Sequence, residues 1–294
     1  MNLKVFIFTV LASIGIPNVN HAQFNSVLDF SYNKINNESS PLLSLDIYAP
    51  TTGDNFPVVV FVHGGGWQIG DKASVTHINK RNFFVDNGFI FVSVNYRLAP
   101  GVFYPVYPQD VAQSLAFVLK WIGKFKGDSQ NVFLMGHSAG AHLAALVATD
   151  DSYLNQLGYD TSDIKAVILL DGAGYDIPAF IDIQTRNNNT DAVAMYHTAF
   201  GTELNTWQEA SPATYVTQTP IPPIQLFYVD TRVISRLMST AFSNKLLSNG
   251  HSVELIAVPN SSHADINTNF GLPDDNVSQQ ALNFILRNMT FSTL

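Results

Sequence analysis

Between Asn131 and Gly140 the chain reads N-V-F-L-M-G-H-S-A-G, an apolar run that closes in G-x-S-x-G and passes at once into the helix-forming stretch Ala141 to Thr149. No other feature restricts the fold as much. A strand that turns into a helix within a few residues needs neighbours without side chains at the corner, and a serine placed there is lifted above the sheet edge. The helix behind it aims its N-terminus at the hydroxyl, where free N–H groups favour developing negative charge. Ser138 is therefore the candidate nucleophile. A small-residue turn that only packed a helix on a sheet would not require serine at that position.

The flanking pattern extends this corner into a domain. Leu28 to Tyr32 and Leu42 to Tyr48 alternate as an antiparallel edge pair, ended by Pro50 and the turn Thr51 to Asp54. Val58 to Val62 and Phe89 to Asn95 are continuous β-branched and aromatic runs, as in strands buried on both faces. Helical spacing follows over Val106 to Ile122, then a strand at Val132 to Met135, a helix at Ala139 to Ala148 and a strand at Ile164 to Leu170. A strand at Ile224 to Val229, a helix at Ser235 to Ser248 before Gly250, a strand at Val253 to Val258 and a helix around Val277 to Asn288 complete the chain. Alternating strands and helices predict an α/β fold with a mostly parallel sheet covered on both sides. The polar, Asn-rich stretch of about residues 176–219 reads as a small helical insertion over the C-terminal sheet edge, where ligands bind in such folds.

Composition narrows the class of protein. The 294 residues suit one large catalytic domain over residues 23–294, and a net charge of -8 argues against nucleic acid or an anionic membrane surface as partner. Met1 to Ala22 reads as a signal peptide: Lys4 is the charged start, Val5 to Ile16 the apolar core, and Asn20-His-Ala22 the cleavage region. Secretion or a periplasmic location is expected, with no membrane anchor. The chain has no cysteine, which removes disulfides, thiol nucleophiles and thiolate metal sites together. No metal or organic cofactor is implied.

Two further segments bring chemistry to Ser138. Phe61-Val-His63-Gly-Gly-Gly66-Trp67 ends a buried strand, and its glycines leave amide N–H groups open to a ligand. With the N–H of Ala139 they are the candidate oxyanion hole, Gly64 and Gly65 being the favoured donors. A phosphate cradle would need the glycines to open a helix, and Trp67-Gln-Ile-Gly-Asp71 does not read as one. His63 reads as a structural brace of the loop. The base is expected after the last strand, where Pro259-Asn-Ser-Ser-His263 supplies an imidazole able to accept and return a proton near neutral pH. His137 must diverge from Ser138 at the turn, and His77, His142, His197 and His251 read as ordinary. The orienting carboxylate is expected beyond Ile224 to Val229, which points to Asp230, with Asp171 after Leu170 as the substitute. Trp67, Tyr104, Tyr107 and Tyr175 are candidates to line an aromatic-tolerant pocket.

The H-G-G-G-W loop, Tyr96-Arg-Leu-Ala-Pro100, G-H-S-A-G and the C-terminal histidine together resemble the α/β-hydrolase esterases near the hormone-sensitive lipase group. The likeness includes bacterial carboxylesterases of the acetyl and feruloyl esterase type and kynurenine formamidase, and it covers roughly Leu42 to Asn288. It implies an α/β-hydrolase fold, Ser138 as nucleophile, His263 as base, and Gly64, Gly65 and Ala139 as oxyanion donors. The glycine that such relatives carry two or three residues before the acid is missing here, where Val229-Asp-Thr-Arg232 stands. The expectation is a secreted serine hydrolase of small-molecule esters or esterified carbohydrates, acetyl or feruloyl groups among them. An amidase, formamidase or peptidase would use the same triad. A non-catalytic binding protein on the same fold is the rival of another class, though such proteins usually lose the serine or the histidine.

Overall fold

The computed structural model describes residues 23–217 and 220–290, so the expected signal peptide lies outside the described residues. Eight strands build one sheet: β1 (Phe24–Ser31), β2 (Ser44–Pro50), β3 (Phe56–Val62), β4 (Ile90–Val94), β5 (Gly127–His137), β6 (Ile164–Leu170), β7 (Ile224–Val229) and β8 (Val253–Val258). Their order across the sheet is β1-β2-β4-β3-β5-β6-β7-β8. The pairings of β2 with β1 and β4 are antiparallel and the remaining pairings are parallel. The edge pair runs earlier than the sequence pattern indicates, because β1 starts at Phe24 and bends at an irregularity between Val27 and Phe30.

Strand periodicity divides the apolar interior into two cores. In β3, Val58, Val60 and Val62 face one core while Val59 and Phe61 face the other. Both faces of the strand are thus buried, which is why its sequence is continuously apolar. Helices α1 (Ile78–Asp86), α2 (Val106–Trp121), α3 (Ala139–Thr149), α4 (Ile177–Arg186), α5 (Thr190–Phe200), α6 (Leu204–Glu209), α7 (Val233–Ser248) and α8 (Asn276–Arg287) flank the sheet, with single helical turns at Ser152–Asn155 and Asp265–Thr268. Helix α1 escapes a pattern search because Phe83, Phe84 and Val85 are buried consecutively, with Lys80 and Asn82, rather than at helical spacing.

The stretch read as an insertion is indeed helical. Asp176 caps α4, its carboxylate accepting from the Ala179 N–H at 3.0 Å, and Asn189 caps α5 in the same way at 3.3 Å. Helices α4 to α6 and a turn at Pro212–Tyr215 follow β6 and precede β7. They pack through aromatic side chains onto the loop after β3: the Trp67 ring meets Tyr196 and Phe200 edge to face at 4.9 and 4.8 Å. Among the described residues no helix is long and apolar enough to cross a membrane.

Candidate active site

Ser138 stands between β5 and α3 with φ of 55°, a left-handed conformation that costs a non-glycine residue roughly 1–3 kcal/mol. Two close approaches explain the glycines around it. A Cβ on Gly136 would lie 2.2 Å from the Gly140 carbonyl oxygen, and one on Gly140 would lie 2.1 Å from that of Val62. The corner therefore closes only without side chains at either position. Its register is set by the Ser138 N–H, which donates to the Leu170 carbonyl at 2.9 Å.

The loop after β3 brings the oxyanion candidates to this corner. Gly64 runs so close that a Cβ there would sit 3.0 Å from Cβ of Ser138. Gly65, with φ of 112°, bends the chain so that its carbonyl accepts from the N–H groups of Gln68 and Ile69, both at 3.1 Å. Ala139 is the first residue of α3, where backbone N–H groups have no partner within the helix. His63 is the expected brace: its Nδ1–H donates to the Gly64 carbonyl at 2.7 Å and its ring stacks on Tyr96 at 4.5 Å. Burial lowers its pKa, so the ring is neutral and holds rather than transfers. Tyr96 in turn donates to the His63 carbonyl at 3.1 Å, and Arg97 pairs with the buried Asp110 at 2.7 Å. The Tyr96 to Pro100 segment thus supports the glycine loop.

His263 follows β8 and reaches Ser138, with Oγ donating to Nε2 at 2.9 Å. Its Nδ1–H donates to Oδ2 of Asp171 at 2.6 Å. The carboxylate at the imidazole is therefore Asp171, at the end of β6, and not Asp230, the first choice from sequence. Asp230 has a half-exposed carboxylate whose nearest cation is Arg236 at 3.8 Å. Asp171 is 1% exposed, its φ of 49° turns the side chain out of the strand path, and the Val229 N–H, Ser235 hydroxyl and Arg232 guanidinium all donate to it. Burial alone raises a carboxyl pKa, but the bond from His263, the Arg232 charge and the bonds from Ser235 and Val229 outweigh it and hold Asp171 at about 2.

Two residues beside the relay were not assigned from sequence. Arg232, half exposed, places Nη1 against Oδ2 of Asp171 and 2.7 Å from Nδ1 of His263. His137 donates from Nε2 to the His263 carbonyl at 2.9 Å, and the two rings lie 4.6 Å apart. Burial, aided by the charges of His263 and Lys80, keeps His137 well below the usual imidazole range, so it acts as a neutral brace for the base. Neither role has a local sequence signal, since both partners are distant in the chain. Of the four aromatic residues named for the pocket, only Trp67 lines it. Tyr107 and Tyr175 are core residues, and Tyr104 donates to the Glu209 carbonyl at 2.9 Å.

Ser138 and His263 open into a cavity of about 850 Å³ between the glycine loop, α4, α5 and the turn at Asp265–Thr268. Among the described residues no cluster of histidine and carboxylate side chains is placed to hold a metal ion.

Sheet order, serine corner and histidine after the last strand define an α/β-hydrolase fold, in an arrangement similar to the esterases of the hormone-sensitive lipase group. Residues 45–246 match the BD-FAE family model, and the chain belongs to that family. It is 30% identical over 239 residues to an isoprenylcysteine alpha-carbonyl methylesterase of Arabidopsis thaliana, covering 77% of this chain and 55% of the relative. It is also 30% identical to the esterase LipQ of Mycobacterium tuberculosis, over 72% of this chain and 51% of the relative. The chain spans about half the length of such curated relatives. A truncated carbohydrate esterase from gut microbiota shares the fold at a TM-score of 0.75 and 18% identity, over 92% of this chain and 98% of that one.

Proposed function

We propose that the chain hydrolyses carboxylic esters through an acyl-enzyme on Ser138. The observation that carries this reading is the unbroken relay from the Ser138 hydroxyl through His263 to the buried Asp171 carboxylate. Oγ attacks the acyl carbon while its proton passes to Nε2 of His263, and Asp171 holds the Nδ1–H tautomer. The carbonyl oxygen becomes an oxyanion facing the amides of Gly64, Gly65 and Ala139. The bond to the alcohol then breaks, His263 returns the proton to the leaving oxygen, and water repeats the sequence on the acyl-enzyme to free the acid.

The finer reading is a secreted or periplasmic enzyme acting on esters of carbohydrates, acetyl or feruloyl groups among them. The leader-like Met1 to Ala22 supports export, and a cavity of about 850 Å³ leaves room for more than a small ester. Fluorophosphonate labelling tests the chemistry: native protein is expected to react and Ser138→Ala is not. Unlabelled native protein would remove the enzyme reading. Turnover of p-nitrophenyl acetate against acetanilide separates ester from amide cleavage.

A further inference from the structure

Gly65, Gly66 and Trp67 follow one another with φ of 112°, 59° and 61°. For the two glycines that conformation carries little strain. Trp67 has a side chain, and it stays in the left-handed region only where its surroundings hold it there. The loop turns on this residue: the Gly65 carbonyl accepts from the N–H groups of Gln68 and Ile69 on its far side, and the Trp67 carbonyl accepts from the Ala99 N–H at 2.9 Å. Displacing Trp67 therefore displaces Gly64 to Gly66, and with them the amides beside the Ser138 corner.

The Trp67 side chain is held by a histidine that reads as ordinary in the sequence. Its indole is 2% exposed, and Nε1–H can only donate. The acceptor is Nδ1 of His142 at 3.1 Å, while the other ring nitrogen of His142 meets the Ala210 carbonyl at 2.7 Å. An indole donates and a carbonyl accepts, so the two partners fix the tautomer: the proton is on Nε2 and the lone pair on Nδ1. The ring is fully buried, and burial outweighs the bond to Ala210 and holds its pKa down at about 4, so it is neutral. The space around it is closed as well. Phe200 lies edge-on at 5.4 Å, and a Cβ on Gly174 would stand 3.0 Å from Cδ2 of His142.

His142 lies in the first turns of α3, where its backbone N–H donates to the Ser138 carbonyl at 3.1 Å. One side chain thus joins the helix behind the nucleophile, the glycine loop and the end of the insertion. Gln68 makes a second tie from the loop to the insertion, its amide donating to the Gly66 carbonyl at 3.3 Å and to that of Met195 at 3.2 Å. Of the two ties only that of His142 reaches α3. On the hydrolase reading, on which this inference rests, the oxyanion takes one donor from α3, at Ala139, and others from the loop, at Gly64 and Gly65. Such donors act when they stand about 2.7–3.1 Å from the oxyanion, so the hole depends on whatever fixes the spacing of loop and helix.

We propose that His142 is a positioning residue of the oxyanion hole. By accepting from Trp67 it holds the glycine loop at the distance from α3 at which the amides of Gly64, Gly65 and Ala139 meet one oxygen, and its bond to Ala210 selects the tautomer able to accept.

The test compares p-nitrophenyl acetate with its thionoester, whose C=S places the developing charge on a larger, weakly accepting sulfur, for the native protein and for His142→Gln, His142→Asn and Trp67→Phe. The glutamine amide reaches the place of Nε2 and keeps a donor for Ala210 but offers Trp67 no acceptor. The asparagine oxygen stands at the place of Nδ1 and keeps that acceptor. In His142→Gln the ratio of kcat/KM for the oxygen ester over the thionoester is expected to fall at least about tenfold, through kcat with KM in place, as for a misplaced oxyanion donor. His142→Asn is expected to hold the ratio near native. Trp67→Phe removes the same bond from the other side, is expected to match His142→Gln, and carries the test should that variant fail to fold. Loss of folded protein alone lowers both rates together and leaves the ratio in place. A native ratio in folded His142→Gln or Trp67→Phe, or an asparagine variant that falls as far as the glutamine one, would overturn the assignment. Hydrolysis of p-nitrophenyl acetate by the native protein keeps the two readings apart: without it the hydrolase reading falls and takes this role with it, and with it only the role of His142 is at stake.

Discussion

Replacing Asp171 by asparagine separates the two aspartates that end neighbouring strands. In the native site Oδ1 accepts from the Val229 N–H at 3.0 Å and from the Ser235 hydroxyl, while Oδ2 accepts from His263 at 2.6 Å and from Arg232. An amide that keeps its oxygen toward Val229 and Ser235 turns an NH2 donor toward two other donors. The imidazole relieves that conflict by moving its proton to Nε2, and it then cannot take the proton of Ser138. Loss of turnover through the wrong tautomer is about 10⁴-fold in such triads, equivalent to roughly 5.5 kcal/mol of transition-state stabilisation. Stopped-flow turnover of p-nitrophenyl acetate and the rate of fluorophosphonate labelling both read it. Asp230→Asn touches only a half-exposed pair at 3.8 Å, and such pairs contribute about 1 kcal/mol or less to stability, so turnover should stay within about twofold of native. Collapse of the Asp230 variant, or a folded Asp171→Asn protein with near-native turnover, would refute the assignment.

Further outcomes follow from the same contacts. Arg232→Gln removes a guanidinium that donates to Oδ2 of Asp171 and lies 2.7 Å from Nδ1 of His263, so turnover of p-nitrophenyl acetate should fall about 3- to 10-fold while Arg232→Lys, which keeps a charged donor, holds it nearer native. Native turnover in the glutamine variant would contradict this. Gly140→Ala drives a Cβ to within 2.1 Å of the Val62 carbonyl oxygen and should cost about 2–4 kcal/mol in urea unfolding, whereas a change below about 0.5 kcal/mol would mean the corner is loose. Stability should also fall with acid in two stages. Buried His142 and His77, whose pKa values are lowered by burial to about 4 and about 3, bind protons in the unfolded chain first, so stability is lost as pH drops from about 6.5. Asp171, at about 2 when folded against about 3.9 unfolded, contributes stability above pH 4 that disappears as pH falls through 2, on the order of 2–3 kcal/mol. A flat Tm from pH 7 to pH 4 at constant ionic strength would exclude the first stage.

The nucleophile corner, the glycine loop, the order of buried strands and the histidine after the last strand were legible because each is dictated locally. Gly136 is demanded by the Gly140 carbonyl four residues on, and the runs in β3 and β4 are apolar because both faces of those strands are buried. The carboxylate was not legible in this way. Asp171 and Asp230 each follow an apolar strand, and nothing in their neighbours tells which one turns toward His263. That choice depends on side-chain direction and burial across neighbouring strands: Asp171 lies beneath the imidazole with Val229, Arg232 and Ser235 closing around it, while Asp230 faces solvent beside Arg236. The same holds for His137 as brace and for Tyr107 and Tyr175 as core rather than pocket. Sequence alone singled out the serine at the strand-to-helix corner, the histidine after the last strand and the sheet that carries them, because short-range backbone geometry and strand periodicity specify these. Only the tertiary structure decided which acid completes the relay and which side chains brace it, because those contacts join residues far apart along the chain.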